Sequence, residues 1–267
     1  MSVLDPSINF APSWRPATFD VLDVPISAID PEQAVRSIEQ WVEARARTYV
    51  CITGVHGVIE CGRDAALRKI HEEAGLVTPD GMPLVWMAHA RGLSAVRRVY
   101  GPDLMRRLSA RAPRTGHRHF YYGGAEGVAD ELRLRLQAEN PGLDVVGVVS
   151  PPFRPMTDAE DADLVETINR AKPDILWVGL STPKQERWMN SHRGRLDVPV
   201  MIGVGAAFDF LSGRKRQAPY WMQRCGLEWF FRLISEPRRL YRRYFTMIPL
   251  FLFRVLRGNN KPRRLIK

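Results

Sequence analysis

Four short apolar runs in the second half of the chain alternate with segments of helical periodicity. The runs are 119–123, 144–150, 174–180 and 197–204. Short apolar runs that alternate with helices in this way are typical of parallel strands joined by helices. Two similar runs, 49–53 and 76–78, stand in the first half. The pattern therefore predicts an α/β fold, with a mostly parallel sheet and helices on both of its faces.

The positive charge of the chain is concentrated at its C-terminal end. Residues 214–267 contain 15 Lys and Arg against two acids, Glu228 and Glu236, a balance of +13. Because the whole chain carries +10, residues 1–213 carry −3. A basic and apolar segment attached to a near-neutral body indicates an anionic partner: a membrane surface, a diphosphate ligand or a nucleic acid.

These features divide the chain into a loose N-terminal arm (1–18), a core (19–213) and a basic, helical C-terminal appendage (214–267). The N-terminus has neither a basic nor an apolar signal region, so we expect no signal peptide. The longest apolar stretch, 244–253, is about half the length of a membrane-spanning helix, and Pro249 interrupts it. We therefore expect a cytoplasmic protein that can lie on a membrane without crossing it.

Four loops that follow predicted strands carry candidate binding residues, and ligands bind beyond strand ends in such sheets. The candidates are Thr53 and His56 in the first loop, Asp80 in the second, Gly123 and Gly124 in the third, and Lys184, Gln185 and Glu186 in the fourth. Each pattern also has a structural explanation, since aspartates cap turns and glycines allow tight ones. The convergence of all four at strand ends favours a functional site.

The pair Asp161-x-Asp163 matches a spacing that holds divalent metals in many nucleotide-sugar enzymes. The two acids stand at the start of a predicted helix, where negative charge stabilises the helix dipole. We interpret them as structural and predict no metal site.

The C-terminal appendage mixes arginines with aromatic residues. Arg232, Arg239 and Arg242 stand among Trp229 and its aromatic neighbours. The simplest explanation is a solvated basic face, but basic helices rich in aromatic residues are also typical of segments that lie in a membrane interface. Arginine forks also bind diphosphates well.

Six blocks of the sequence resemble motifs of a known family. The blocks are 78–86, 100–105, 121–128, 178–188, 203–213 and 226–244. In this order they are similar to the WecG/TagA/CpsF glycosyltransferases (glycosyltransferase family 26), across roughly residues 20–245. The resemblance implies a Rossmann-like core and a metal-independent, cofactor-free, inverting transfer. The donor would be a UDP-sugar, and the acceptor a sugar on polyprenyl diphosphate.

The resemblance also implies a place and a set of roles. The enzyme would work on the cytoplasmic face of the membrane in cell-envelope or exopolysaccharide biosynthesis, bound through 214–267 to anionic lipid, and it leaves self-association open. The implied roles are Asp80 as general base, Gln185 and Thr53 as substrate-binding residues, and Arg232, Arg239 and Arg242 as partners of the UDP leaving group.

Two other classes of function stay open at this point. A nucleotide-cofactor oxidoreductase would fit the α/β pattern and the glycines at 123, 124 and 127, but the full glycine fingerprint and its acidic partner are missing. A non-enzymatic module could bind a membrane or a nucleic acid through the basic segment. We expect no nucleic acid partner, because the body of the chain is slightly acidic.

Overall fold

The computed structural model describes residues 14–257, which form eight strands and twelve helices. The strands are β1 (Thr18–Val21), β2 (Val24–Ser27), β3 (Thr48–Thr53), β4 (Leu76–Pro79), β5 (His119–Gly123), β6 (Val145–Val149), β7 (Ile175–Gly179) and β8 (Val200–Gly203). The helices are α1 (Pro31–Glu43), α2 (Val55–Cys61), α3 (Ala65–Glu73), α4 (Met82–His89), α5 (Gly101–Thr115), α6 (Val128–Glu139), α7 (Asp158–Ala171), α8 (Lys184–His192), α9 (Ala207–Leu211), α10 (Tyr220–Arg224), α11 (Glu228–Ser235) and α12 (Pro237–Arg257).

The six predicted apolar runs form one parallel sheet in the order β4-β3-β8-β7-β5-β6. Side chains alternate between two apolar clusters, one on each face. In β7, Leu176 and Val178 join one cluster, whereas Ile175 and Trp177 join the other. Helices cover both faces because neither face of such strands is polar enough to meet water. The predicted Rossmann-like core with helices on both faces and a helical C-terminal region is confirmed.

A short antiparallel hairpin, β1–β2, precedes the sheet and was not predicted. Val24 and Ile26 are fully buried, and the backbone N–H of Val77 in β4 donates to Ser27 Oγ (3.1 Å). Strands of four residues give too short a pattern to detect in the sequence. The hairpin begins at Thr18, so the predicted loose arm falls mostly on residues 1–13, which lie outside the described residues.

The loop predicted after the first strand is instead the start of a helix. Helix α2 begins directly after Gly54 and includes His56. Val58 and Ile59 are buried against the sheet, which stabilises this extra turn of helix. The sequence pattern predicts a helix at about 62–74, but α3 begins only after Asp64, whose carboxylate accepts hydrogen bonds from two backbone N–H groups of the first turn.

Helix α12 packs one side against the core. Leu240, Met247 and Phe251 are buried, at spacings of seven and four residues that place them on one face. The Arg254 guanidinium lies against Gly62 at the end of α2, where an added Cβ would be 2.5 Å from Nη1. The sequence pattern predicts that this helix covers 237–246, which is too short, because packing continues it through Pro249 to Arg257.

The opposite side of α12 faces outward. Tyr241, Phe245, Leu252 and Leu256 are exposed at spacings of four, seven and four residues, a second apolar stripe. Among the helices of residues 14–257, none is long and apolar enough to cross a membrane. Helix α12 thus presents two apolar faces, and the fold covers only one of them.

We expect Phe251→Ala to lower the free energy of unfolding by about 3 kcal/mol, because it leaves a cavity between α12 and the core. Phe253→Ala is the matched control, since Phe253 is 55% exposed on the same helix and Phe251 only 5%. Urea denaturation measures both values. Equal effects of the two substitutions would mean that α12 does not pack on the core as described.

Candidate active site

The carboxyl ends of the six parallel strands lie along one edge of the sheet. β3 ends at Thr53, β4 at Pro79, β5 at Gly123 and β7 at Gly179. The four predicted loops follow these ends, so the fold gathers them at the edge where open α/β sheets bind ligands.

Asp80 occupies a fixed turn between β4 and α4. Its backbone N–H donates to the Thr53 carbonyl (2.9 Å), which ties the turn to the end of β3. Gly81 then adopts φ 108°, which a side chain would strain, and the chain reverses into α4. On the other side, a Cβ added to Gly54 would lie 2.9 Å from the Asp80 carbonyl oxygen. The Asp80 carboxylate therefore projects from a backbone held on both sides.

Burial raises the pKa of Asp80 to about 6, even though Arg98 and Arg232 act to lower it. Arg98 Nη2 lies 3.5 Å from Oδ1, whereas the nearby Glu228 carboxylate raises the pKa further. Within the described residues, Oδ1 has no hydrogen-bond donor, and 29% of the side chain is exposed. A carboxylate with this pKa is ionised at neutral pH and can accept a proton, as a general base must.

Arg98 is held by the C-terminal segment and was missed by the sequence analysis. Its Nη2 lies 2.5 Å from Glu228 Oε2, its Nη1 donates to Gln223 Oε1 (3.5 Å), and its guanidinium stacks on the Tyr100 ring at 3.9 Å. Tyr100 OH also donates to Glu228 Oε1 (2.9 Å). One signal was available: Glu228 is one of two acids in a strongly basic segment, so it needed a cationic partner.

The three predicted arginines fall in different surroundings. Arg232 on α11 is close enough to lower the pKa of Asp80, and it lies over the Phe210 ring at 5.6 Å. Its Nε is buried with no hydrogen-bond partner in the described part of the chain. Arg239 and Arg242 on α12 are exposed: Arg239 pairs with Glu236 (2.8 Å), and Arg242 Nε donates to Tyr241 OH (2.9 Å). Only Arg232 is brought to Asp80.

Gln185 and Glu186 form a buried polar group at the start of α8. Glu186 Oε1 accepts hydrogen bonds from Thr182 Oγ1 (2.8 Å) and from Gln185 Nε2 (3.0 Å). This second bond orients the amide, so Gln185 Oε1 points toward Gly205, where an added Cβ would lie 3.5 Å away. That oxygen has no partner among the described residues, so it is available to a ligand hydroxyl or N–H. The neighbouring Lys184 is exposed.

Gly123 and Gly124 form a tight turn before α6. Gly123 has φ 128°, and a Cβ there would lie 2.7 Å from the Gly179 carbonyl at the end of β7. The Gly124 N–H donates to that carbonyl (3.1 Å). Close backbone approach and positive φ therefore explain both glycines.

Thr53 and His56 follow β3, the strand that pairs with β4. Thr53 is buried, with its hydroxyl 3.5 Å from the Cys51 carbonyl and its methyl group against Gly57. His56 is half-buried in the first turn of α2. Thr53 is thus joined to the Asp80 turn through its backbone, and its side chain lies beneath the edge.

Asp161 is engaged in a structural ion pair. Its two oxygens contact His192 Nε2 (2.8 Å) and Arg195 Nη1 (2.5 Å). Burial acts to raise the pKa of Asp161, but the hydrogen bonds from His192 and Arg195 lower it overall. These contacts agree with the structural interpretation of the acidic pair at 161 and 163.

A family model for the WecG/TagA/CpsF glycosyl transferases matches residues 19–265. The chain belongs to this family. A relative from Bacillus subtilis (strain 168) is 32% identical over 196 residues, which cover 73% of each chain. One from Staphylococcus aureus (strain MW2) is 26% identical over 196 residues, 73% of this chain and 74% of its own. Both are named N-acetylglucosaminyldiphosphoundecaprenol N-acetyl-beta-D-mannosaminyltransferase. The protein is therefore a glycosyltransferase, as its sequence predicted.

We expect Asp80→Asn to raise the free energy of unfolding at pH 8 by about 1–3 kcal/mol. The folded state disfavours the ionised carboxylate, because burial raises its pKa to about 6. The gain should be absent below about pH 4, where Asp80 is protonated in both states, grow between about pH 4 and 6, and level off above that range. Urea denaturation across this pH range measures it.

Asp161→Asn is the control of opposite sign. Because the pKa of Asp161 is lowered in the folded state, this substitution should destabilise the protein at pH 8. A gain from Asp80→Asn that is independent of pH would contradict the raised pKa of Asp80.

Proposed function

We propose that this glycosyltransferase moves a sugar from a UDP-sugar to a sugar carried on polyprenyl diphosphate, with inversion at the anomeric carbon. The observation that carries the proposal is the Asp80 carboxylate, whose side chain is 29% exposed at the sheet edge, with an arginine of the C-terminal segment beside it. The names of the relatives, which give a sugar-diphosphoundecaprenol acceptor, support the acceptor class.

The reaction is a single displacement. An acceptor hydroxyl gives its proton to Asp80 while its oxygen forms the bond to the anomeric carbon. The bond from that carbon to the β-phosphate oxygen breaks on the opposite face, and its electron pair leaves with UDP. Attack and departure on opposite faces invert the anomeric centre. An ionised Asp80 is required, so activity should fall as the pH drops below about 6.

The leaving UDP gains negative charge, which must be neutralised in the transition state. Arg232 is placed for this role, because its buried Nε lacks a protein partner in the described chain and it lies near Asp80. Arg239 and Arg242 are exposed on the following helix, and we propose that they bind the outer diphosphate oxygens after a side-chain rearrangement. Guanidinium forks suit that geometry.

Sugar recognition falls to Gln185. Glu186 and Thr182 hold its amide so that Oε1 is presented as an acceptor, and a sugar hydroxyl or acetamido N–H supplies the matching donor. A site built around such a bond rejects sugars that lack the group, because a buried acceptor is then left unpaired. The nucleotide binds at the same edge, beside the glycine turn at 123–124, whose backbone is fixed by its close approach to Gly179.

The outward stripe of α12 and the arginines around it fit an anionic membrane surface. Tyr241, Phe245, Leu252 and Leu256 would enter the interface, while Arg238 and Arg242, on the same side, would contact lipid phosphates. We propose that the enzyme binds the cytoplasmic face of the membrane in this way, in cell-envelope or exopolysaccharide biosynthesis. A nucleic acid partner is disfavoured because residues 1–213 carry −3.

The function is tested by UDP release from a panel of UDP-sugars, with and without a polyprenyl-diphosphate-linked N-acetylglucosamine. We expect acceptor-dependent release with one donor and a loss of at least about 100-fold in Asp80→Asn, the contribution of a general base. Asp161→Asn, a conservative change outside the site, should keep most of the activity. Near-normal turnover by Asp80→Asn would remove Asp80 as the base, and no release with any donor would contradict the reaction class.

Membrane binding is tested by sedimentation with vesicles that contain an anionic lipid. A triple change of Phe245, Leu252 and Leu256 to Ser should weaken binding about tenfold or more, because each side chain loses its burial in lipid. Leu134→Ser is the control, since Leu134 is equally exposed but lies on α6. Equal binding of the triple variant and the control would place the membrane contact elsewhere.

A further inference from the structure

Glu228 stands out in the C-terminal segment because of its sign and its burial. It is one of two acids among 15 basic residues in 214–267, yet its side chain is only 13% exposed. Among the described residues it forms its ion pair with Arg98, a core residue 130 positions earlier, and not with the arginines near it in sequence. This choice of partner links the C-terminal segment to the group that faces Asp80.

The Arg98 guanidinium lies between two carboxylates at unequal distances. Glu228 Oε2 is 2.5 Å from Nη2, and Asp80 Oδ1 is 3.5 Å from the same nitrogen. The stack on Tyr100 and the hydrogen bond from Tyr100 OH to Glu228 fix this arrangement from the side. Arg98 therefore makes its close ion pair with Glu228, and its interaction with Asp80 stays long.

We propose that Glu228 is a positioning residue that holds the Arg98 guanidinium off Asp80 and thereby keeps the Asp80 carboxylate without a close cationic partner, so that it can take the proton of the acceptor hydroxyl. The inference rests on the proposed function, in which Asp80 is the base. It assigns to the C-terminal segment a third task besides charge neutralisation and membrane contact, because the base is competent only while α11 is docked beside it.

Without the Glu228 carboxylate, Arg98 can form its close ion pair with Asp80 instead. An arginine fork beside a single carboxylate forms the paired, two-bond contact that guanidinium and carboxylate groups favour. That contact would occupy the Asp80 lone pairs that must receive the proton, and it would stabilise the ionised form. Asp80 would become a weaker base and a less accessible one.

The sign of the pH effect follows from every charged group that faces Asp80. Arg98, before α5, and Arg232, on α11, lower its pKa, whereas Glu228 and burial raise it. Tyr100 is neutral, since burial raises the pKa of its hydroxyl far above the working range. Removing the charge of Glu228 therefore lowers the pKa of Asp80, both directly and through the closer approach of Arg98.

The experiment follows the Asp80 carboxyl by NMR in substrate-free protein labelled with ¹³Cγ-aspartate, with Asp80→Asn to assign the signal. In Glu228→Gln we expect the titration midpoint of Asp80 to fall by about one pH unit, within the range that a close cation produces. The control is Glu236→Gln, which removes the other acid of the segment; Glu236 pairs with Lys215 and Arg239. Its Asp80 titration should match the wild type.

Two further readouts separate positioning from a general structural role. The acid limb of the kcat/KM profile in Glu228→Gln should move to lower pH together with the NMR midpoint, while kcat at pH 7 falls about tenfold, part of the general-base contribution. In an Arg98→Met background, Glu228→Gln should shift Asp80 much less, because the charge acts largely through Arg98. Glu228→Asp, which keeps the charge, should give an intermediate midpoint.

An unchanged Asp80 midpoint in Glu228→Gln would overturn the inference, and so would an equal shift in Glu236→Gln. If Glu228→Gln failed to fold, Glu228→Asp would supply the same comparison with a smaller shift, and an unchanged midpoint there would count equally against it. The NMR titration needs no substrate, so a failure of the proposed sugar transfer would show separately, as absent UDP release in wild-type protein.

Discussion

The six parallel strands bury both of their faces, so the part of the sheet left for chemistry is the row of loops at its carboxyl edge. Two apolar clusters fix the strand order and leave little freedom in register. The turn at Asp80 is fixed to the sheet by the hydrogen bond from its backbone N–H to the Thr53 carbonyl. A glycine is required at position 123 because β5 and β7 lie so close together there that a side chain would collide with the Gly179 backbone.

The Asp80 carboxylate at this edge, our proposed base, depends on a balance of opposing charges. Burial alone would raise the pKa of Asp80 further, which would make the group a poor acid. The arginines alone would lower its pKa, which would make the carboxylate a poor base. In the structure, Arg98 and Arg232 lower the pKa of Asp80, whereas burial and Glu228 raise it. Because two of these three residues come from the C-terminal segment, core and segment form one electrostatic unit. The family and the relatives agree with the chemistry that such a carboxylate supports.

The sequence predicted the strands well because each is a short apolar run between polar loops, and parallel strands buried on both faces require such runs. It also predicted that Asp80 and Gln185 follow strand ends at the carboxyl edge, and their roles stay predictions. It missed the contact of Arg98 with Glu228, since an ion pair across 130 residues leaves no local pattern. It ended the last helix too early, because tertiary packing at Phe251 outweighs the local cost of Pro249. Whether Arg239 and Arg242 reach a substrate stays a prediction.

Helix α12 is a single helix of about 32 Å. One side packs against the core, and the other side is apolar and exposed. A surface that bound the exposed apolar stripe would also set the tilt of the whole sheet, because the other side of α12 is packed against the core. The carboxyl edge would then stand at a fixed height above that surface. If the stripe binds a membrane, as proposed, the enzyme would select among carriers by how far their sugar extends from the membrane, before any hydroxyl is recognised.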